Sequence, residues 1–326
     1  MIHTLLLKIT WNPSEILFSI GGIQIRYYSL MFVISFLLGL KIMEKIFKNE
    51  NEPLKIVEPL FIYNVIAILL GARLGDVFFY SWDYYQNNLL EILLPIRANA
   101  EASIFGFING YEFTGFRGLA SHGAAVGVIV GMILFHRAMK KKFNWSKSAL
   151  WILDRVVIPV ASGAAFVRIG NLMNSEIIGK VTDSALGFRF IRHDIKPWEA
   201  VKLTGINNAN DAYKAIENKS KFKDILAEVP YRFPTQIFEA LGYIVLFALL
   251  WFVYWKTNKK QKEGFIFGLF MTYLWVFRFF IEFLKEPQVV GREDYVSFLN
   301  TGQLLSIPLA AVGLYFMFRK NKEKMA

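Results

Sequence analysis

The residues from Arg168 to Lys180 combine side chains that are rare in the apolar run before them. They read Arg-Ile-Gly-Asn-Leu-Met-Asn-Ser-Glu-Ile-Ile-Gly-Lys, so two cations, one carboxylate and two amides follow one another closely. A charge at membrane depth is costly and normally faces a polar cavity. A guanidinium donates paired hydrogen bonds that suit a phosphate. We therefore expect a polar site here, at the height of lipid phosphates.

Arg278 and Glu282 form a second group, four residues apart and so on one face of a helix. One interpretation is a neutral pair that allows a charge to lie in the membrane. The other is that Arg278 binds a lipid phosphate while Glu282 orients it. Arg73 and Asp76, three residues apart, favour a structural clamp.

His122 is the candidate base, because its ordinary pKa of about 6.5 suits proton transfer at neutral pH. It lies among small residues, between Gly118 and Gly127, that allow close approach of a backbone or a lipid. The alternative is a hydrogen-bonded packing histidine. No second histidine stands at a nearby ligand spacing, so we expect no metal site.

The composition indicates a membrane protein. The chain has 326 residues, of which 55% are hydrophobic and 16% aromatic, and its mean hydropathy is +0.37. The net charge of +11 is carried largely by short loops between apolar runs, which favours membrane topology over nucleic-acid binding. There is no cysteine, which excludes disulfides, thiolate metal sites and a cysteine nucleophile of the protein's own.

The apolar runs predict an all-α integral membrane protein with seven transmembrane helices. They lie near 27–47, 56–80, 119–139, 149–169, 235–256, 264–284 and 301–319. Basic residues follow spans one, three, five and seven. The positive-inside rule then places the N-terminus outside and the C-terminus in the cytoplasm.

Residues 1–326 are predicted to form a single membrane domain with two outer connections. Residues 81–118 contain Trp82, Tyr84 and Tyr85 and are interpreted as an interfacial arm. Residues 171–234 mix charge, Asn and Gly and are interpreted as an extracytoplasmic cap between spans four and five. A solvated loop without chemistry is the alternative for most of the cap.

The polar side chains of these spans share one depth. At 1.5 Å per residue, Arg73, Arg168 and Arg278 lie about 25, about 28 and about 21 Å from the cytoplasmic starts of their spans. His122, Tyr28 and Gln303 stand at the outer starts of theirs. Side chains that snorkelled independently would scatter between both faces, so the pattern favours one outer-leaflet site.

These motifs identify a resemblance that runs along nearly the whole membrane domain. The chain resembles the prolipoprotein diacylglyceryl transferases. The segments that carry the likeness are Ile25–Tyr28, Gly71–Arg73, Ser121–Gly123, the signature Arg168–Gly179, Phe233–Glu239, Arg278–Glu282 and Gly302–Gln303. Val167 and Ser175 stand where the signature has glycines.

The resemblance implies an enzyme of the bacterial cytoplasmic (inner) membrane whose active site faces the outer leaflet. It would transfer a diacylglyceryl group from phosphatidylglycerol to the lipobox cysteine of a preprolipoprotein, with no cofactor. His122, Arg168 and Arg278 would be catalytic. Substrate binding would involve Tyr28, Arg73, Gly123, Asn171, Asn174, Glu176, Gly179, Gln236, Glu239 and Glu282.

Three other classes of protein remain as alternatives. A transporter of a small anionic solute or lipid would want polar groups through both leaflets, and the inner halves of these spans are mostly apolar. A CDP-alcohol phosphotransferase would need a cluster of metal-binding aspartates, and no such cluster stands in the sequence. A lipid-binding scaffold would tolerate loss of Arg168 and Arg278.

Overall fold

A computed structural model describes residues 8–20, 23–94, 96–104, 108–113, 120–286 and 299–320. The chain divides into two compact units. Unit 1 comprises Met1–Ile42 with Asp154–Ala326, and unit 2 comprises Met43–Leu153. The prediction of one membrane domain is not tested by this division, and each unit is described by itself.

Helices make up most of the described chain. They are α1 (Tyr27–Asn49), α2 (Val57–Phe79), α3 (Trp82–Tyr85), α4 (Leu90–Leu93), α5 (Ser121–Phe143), α6 (Ala149–Met173), α7 (Ile191–Asp194), α8 (Pro197–Thr204), α9 (Ala209–Asn218), α10 (Lys223–Glu228), α11 (Thr235–Lys256), α12 (Phe265–Ile281) and α13 (Thr301–Phe318). Short 3-10 turns lie at Leu54–Ile56, Ser220–Phe222 and Asn258–Gln261.

Several of these helices can cross a membrane. Among the described residues, four segments are long and apolar enough: Leu54–Phe79, Gly123–Phe143, Ala149–Met173 and Thr235–Lys256. Two shorter apolar helices are Phe265–Ile281 and Gly302–Phe318. Each of the seven predicted spans overlaps a helix, whereas the number that crosses stays a prediction.

The structure also contains short strands, which the prediction of an all-α protein did not include. They are β1 (Ile9–Trp11), β2 (Ile16–Ile20), β3 (Ile23–Arg26), β4 (Ile96–Ile104), β5 (Ile108–Phe113), β6 (Phe188–Phe190) and β7 (Tyr231–Arg232). The sheet orders are β1-β6-β7, β2-β3 and β4-β5. In β1-β6-β7, the β1-β6 pair is parallel and the β6-β7 pair antiparallel. β4 and β5 form an antiparallel hairpin inside the predicted arm. The backbones of these two strands therefore pair with each other.

In unit 2, glycines bring α2 and α5 into backbone contact. A Cβ added at Gly123 would lie within 2.2 Å of the Gly71 carbonyl oxygen and 2.7 Å of the Gly75 Cα. Gly127 faces Gly71 in the same way, with 2.9 Å from its added Cβ to the Gly71 Cα. This is the small-xxx-small packing that helices use in lipid, where no hydrophobic drive joins them.

In unit 1, Asp154 fixes the start of the helix that carries Arg278. The Asp154 carboxylate is fully buried and accepts backbone N–H groups of Gly264 at 2.7 Å and Phe267 at 2.8 Å. It therefore caps the N-terminus of α12 from another helix. Arg155 lies 3.7 Å away and balances the carboxylate. These contacts give Asp154 a scaffold role in unit 1.

The predicted cap has a small core of its own. Helices α7 to α10 enclose it, and its buried residues are Ile191, Ile195, Ala200, Ala212, Tyr213, Ala215, Ile216, Phe222 and Val229. Arg232 ties this core to the chain after α12, since its guanidinium contacts Asp194 at 2.7 Å and Glu286 at 3.0 Å. The segment is thus folded, and its role as an extracytoplasmic cap stays a prediction.

The α2–α5 contact predicts that Gly123→Ala destabilises the protein by about 1–3 kcal/mol, because the new methyl group must separate two backbones. Thermal unfolding in detergent measures this change. Gly39→Ala is the matched control, since a Cβ there meets only the Pro159 Cβ at 3.5 Å. Equal midpoints for the two variants would contradict the packing role of Gly123.

Candidate active site

The signature segment, Arg168–Gly179, spans the C-terminal end of α6. Ser175 adopts φ 51°, the Glu176 N–H bonds the Asn171 carbonyl at 3.1 Å, and the Ser175 N–H bonds the Leu172 carbonyl at 3.0 Å. This pair of bonds is a Schellman motif with serine in the left-handed position that glycine usually holds. Ile177 follows at φ 57°. The chain therefore reverses sharply and returns over the last turn of α6.

The reversal brings the polar groups of the signature together. Glu176 Oε1 accepts the side-chain amides of Asn171 at 2.8 Å and Asn174 at 3.2 Å. The Asn171 Oδ1 accepts from Arg168 Nη1 at 3.1 Å. Gln236 Nε2, from α11, donates to the Glu176 carbonyl at 2.7 Å. The amides thus connect Arg168 to Glu176 in one hydrogen-bonded chain.

Tyr28 lies against the same helix end. Its hydroxyl is hydrogen-bonded to Asn171 and interacts electrostatically with Arg168 and Glu176. A Cβ at Gly170 would lie 2.7 Å from Tyr28 Cδ2, so glycine allows the ring to reach this position. The prediction that Tyr28 belongs to the site is consistent with this placement.

Glu239 is the carboxylate at the centre of the cluster. It is 1% exposed, and its two oxygens lie 3.2 Å from Arg168 Nε and 3.2 Å from Lys285 Nζ. Arg168 also hydrogen-bonds the Tyr243 hydroxyl. Gln236, Glu239 and Tyr243 are spaced three and four residues apart, so they form one stripe along α11.

Arg278 reaches the same cluster from α12. Its Nη2 lies 3.3 Å from Glu282 Oε1, and the Arg278 side chain is 20% exposed. Both Tyr243 and Lys285 interact electrostatically with Arg278 and with Arg168. The two arginines therefore have neighbours in common.

The start of α13 completes this side of the site. Asn300 Nδ2 approaches Glu282 Oε2 at 3.4 Å, while its Oδ1 caps the helix by accepting the Gln303 N–H at 2.8 Å. In turn, the side-chain Oε1 of Gln303 accepts the Asn300 N–H at 3.0 Å, and the two bonds form a capping box. A Cβ at Gly302 would lie 2.9 Å from Glu282 Cδ, so the carboxylate packs on bare backbone.

Gly179 lies between two other chain segments. Its N–H bonds the Phe233 carbonyl at 2.9 Å, and the next N–H, of Lys180, bonds the Leu284 carbonyl at 2.8 Å. A Cβ at Gly179 would lie 2.6 Å from Phe233 Cβ and 2.7 Å from the Leu284 oxygen. Glycine is required here by close backbone approach, and its direct contact with a substrate stays a prediction.

Several buried polar atoms of the described site have no hydrogen-bond partner. The donor among them is Arg278 Nε. The acceptors are Asn174 Oδ1, Gln236 Oε1 and Glu239 Oε2, the last of which forms an ion pair with Arg168, and Ser175 Oγ can act either way. Buried polar atoms are normally satisfied. Apart from Glu239 Oε2, these atoms are therefore available to a ligand with an anionic part and hydroxyl groups.

Sequence reasoning missed Tyr243 and Lys285. Tyr243 stands four residues after Glu239, and Lys285 stands three residues after Glu282. Helical spacing signalled Tyr243, while Lys285 lies beyond the end of α12, where that spacing no longer predicts position. With Lys285, the site holds three cations (Arg168, Arg278, Lys285) and three carboxylates (Glu176, Glu239, Glu282).

The remaining predicted site residues lie in unit 2. Arg73 is 5% exposed; its Nε bonds the Ile92 carbonyl at 2.9 Å, and its guanidinium lies 4.6 Å from the Tyr85 ring centroid. It therefore joins α2 to the arm through residues other than Asp76, with which the sequence paired it, and its substrate-binding role stays a prediction. Gly123 packs on α2. His122 stands on the first turn of α5, and its side chain lies outside the described part.

The fold and the site together define a multi-pass helical membrane protein with a buried cluster of cations, carboxylates and amides. Comparison with known proteins gives the family. Residues 15–319 match the model of the prolipoprotein diacylglyceryl transferase family.

Relatives from several bacteria carry the name phosphatidylglycerol–prolipoprotein diacylglyceryl transferase. The protein of Bacteroides fragilis is 38% identical over 323 residues, covering 99% of each chain. That of Porphyromonas gingivalis is 34% identical over 96% of this chain and 95% of its own. That of Chloroherpeton thalassium is 32% identical over 97% of this chain and 95% of its own. The chain therefore belongs to the prolipoprotein diacylglyceryl transferase family, which confirms the resemblance and does not favour a transporter.

The left-handed serine predicts that Ser175→Gly raises the free energy of unfolding by about 1 kcal/mol, because glycine has no Cβ to strain at φ 51°. Thermal unfolding in detergent is the measurement. Ser175→Ala is the matched control: it removes the same unpartnered hydroxyl and keeps the strained conformation. A glycine variant no more stable than the alanine variant would contradict a strained turn.

Proposed function

We propose that this protein transfers the sn-1,2-diacylglyceryl group of phosphatidylglycerol to the lipobox cysteine thiol of preprolipoproteins. A thioether forms and glycerol phosphate leaves, the first step of lipoprotein maturation. The observation that carries the proposal is that Arg168 and Arg278 come from different helices and share Tyr243 and Lys285 as neighbours. The names of the relatives specify the same lipid and protein substrates.

The reaction makes a defined demand on these two arginines. The thiolate sulfur attacks the glyceryl carbon that bears the phosphate, an S–C bond forms, and the C–O bond breaks with its electron pair left on the phosphate oxygen. The phosphate gains one negative charge. Guanidinium groups placed beside that oxygen stabilise the transition state more than the ground state. The unpaired Nε of Arg278 supplies a further donor for the charge.

The amide oxygens of the site suit the glycerol head group of the lipid. Asn174 Oδ1 and Gln236 Oε1 are buried acceptors without partners in the described chain. The glycerol of phosphatidylglycerol carries hydroxyl groups that can donate to such oxygens. Satisfying them favours this lipid over one whose head group has no donor, since unpaired buried acceptors are costly.

The thiol must lose its proton to a base, and His122 takes that role in this proposal. A cysteine thiol has an ordinary pKa of about 8.5, so a weak base suffices. The histidine stands at the start of α5, which the basic residues of the opposite helix end assign to the outer side. With seven spans, the same rule favours an outer N-terminus, an outer arm and cap, and a site on the outer leaflet. The family indicates the bacterial inner membrane.

The deciding experiment incubates the purified protein in vesicles with labelled phosphatidylglycerol and a lipobox peptide. Mass spectrometry then detects the peptide thioether. We expect Arg168→Gln and Arg278→Gln each to lower turnover about 10²- to 10³-fold, the cost of one lost oxyanion donor. Arg137→Ala is the control, because this arginine is exposed near the basic end of α5. Parental turnover in both arginine-to-glutamine variants would refute the proposed anion site.

The base role predicts that His122→Gln lowers turnover about 10²- to 10⁴-fold, while phosphatidylglycerol binding is retained. His136→Gln is a matched control on the same helix, since His136 Nδ1 contacts the Lys147 carbonyl at 2.7 Å near the opposite end. Raising the pH should restore part of the His122→Gln turnover, because more of the peptide thiol ionises by itself. An unchanged rate in this variant would remove the base role alone.

A further inference from the structure

Tyr243 projects from α11 into the middle of the cation cluster. It is 5% exposed, and the Arg168 guanidinium carbon lies 5.9 Å from its ring centroid. Its hydroxyl is hydrogen-bonded to Arg168 and interacts electrostatically with Glu239 and Arg278. The hydroxyl therefore lies within the fields of both arginines.

The contact between α11 and α12 fixes the ring. Tyr243 packs edge-to-face on Phe277, with ring centroids 6.1 Å apart. The preceding Gly242 lies so close to Phe277 that an added Cβ would stand 2.2 Å from the Phe277 Cζ. Phe277 is the residue before Arg278, so this contact sets the position of Tyr243 relative to that arginine. A hydroxyl held this way needs no reorganisation when a ligand binds.

The hydrogen bond with Arg168 leaves the hydroxyl hydrogen free. A guanidinium can only donate, so the tyrosine oxygen is the acceptor in that bond. The bond with Arg168 therefore does not use the hydroxyl hydrogen, which can be donated to a ligand. Arg278 Nε is a buried donor without a partner among the described residues. The hydroxyl hydrogen and this N–H, placed in a cationic cluster, fit an anion.

We propose that Tyr243 is a further catalytic residue, whose hydroxyl donates a hydrogen bond to the lipid phosphate between Arg168 and Arg278. The proposal rests on the proposed diacylglyceryl transfer. As the glyceryl C–O bond breaks, the electron pair moves onto the phosphate oxygen and the hydrogen bond strengthens. Arg168, by donating to the tyrosine oxygen, polarises the O–H group in the same direction. No proton needs to leave Tyr243.

The first test is Tyr243→Phe, which removes the hydroxyl and keeps the ring contact with Phe277. We expect kcat to fall about 10- to 100-fold with KM for phosphatidylglycerol changed by less than about threefold, because the bond strengthens mainly in the transition state. Tyr254→Phe is the matched control, a fully buried tyrosine farther along the same helix. A raised KM with unchanged kcat, or no change at all, would overturn the proposal.

The second test separates donation by the hydroxyl from acceptance. Amber suppression places mono- and difluorotyrosine at position 243 of the full chain. Fluorine makes the phenol a stronger donor and its oxygen a weaker acceptor for Arg168. Turnover at or above the parental value supports donation to phosphate. Turnover that falls with each added fluorine assigns Tyr243 to orienting Arg168 alone and overturns the proposal.

The activity of the parental protein distinguishes failure of the proposed function from failure of the role proposed for Tyr243. If the parental protein forms no thioether, diacylglyceryl transfer itself fails. If it forms the thioether and Tyr243→Phe matches its kcat and KM, only the role of Tyr243 fails. Thermal unfolding of the fluorotyrosine proteins verifies that the fold is intact, since these replacements keep the ring and the hydroxyl.

Discussion

The ion pairs of Glu239 are the interaction on which the site depends. Arg168 and Lys285 each lie 3.2 Å from one of its oxygens, and Glu239 itself is 1% exposed. Cations at membrane depth persist only where carboxylates or polar cavities balance them. Breaking a buried pair by removing one partner is far more costly than the pair is stabilising. Glu239 therefore allows Arg168 to remain charged at this depth and available to a phosphate.

The same cluster is held by backbone pairing between distant parts of the chain. Gly179 and Lys180 bond Phe233 and Leu284, respectively. Phe233 stands six residues before Glu239, and Leu284 is the residue before Lys285. Arg232 then joins Glu286 to Asp194. Because these bonds lie near the ion pairs, movement of the folded segment that follows α6 would shift the residues of the site.

The helices and the polar signature were predictable, because apolar length and helical spacing are local properties of the sequence. Lys285 was not, since it follows the end of α12 and only tertiary folding brings it to Glu239. The hairpin was missed for another reason. From Ile96 to Ile104 apolar and polar residues alternate, which is the strand period, but three of the five apolar positions are alanine. Alanine has little strand preference, so the alternation carried a weak signal.

The left-handed turn shows how the site is assembled against local preference. Ser175 and Ile177 adopt φ 51° and φ 57°, and for a β-branched residue such a value is a genuine outlier. Such strain persists only where surrounding contacts over-determine the backbone. Here the Glu176 carboxylate is bonded by Asn171 and Asn174, its carbonyl by Gln236, and the Ile177 carbonyl by Thr235 at 2.9 Å. These bonds hold both amides beside Arg168, so the strain is a consequence of placing three polar side chains at one helix end.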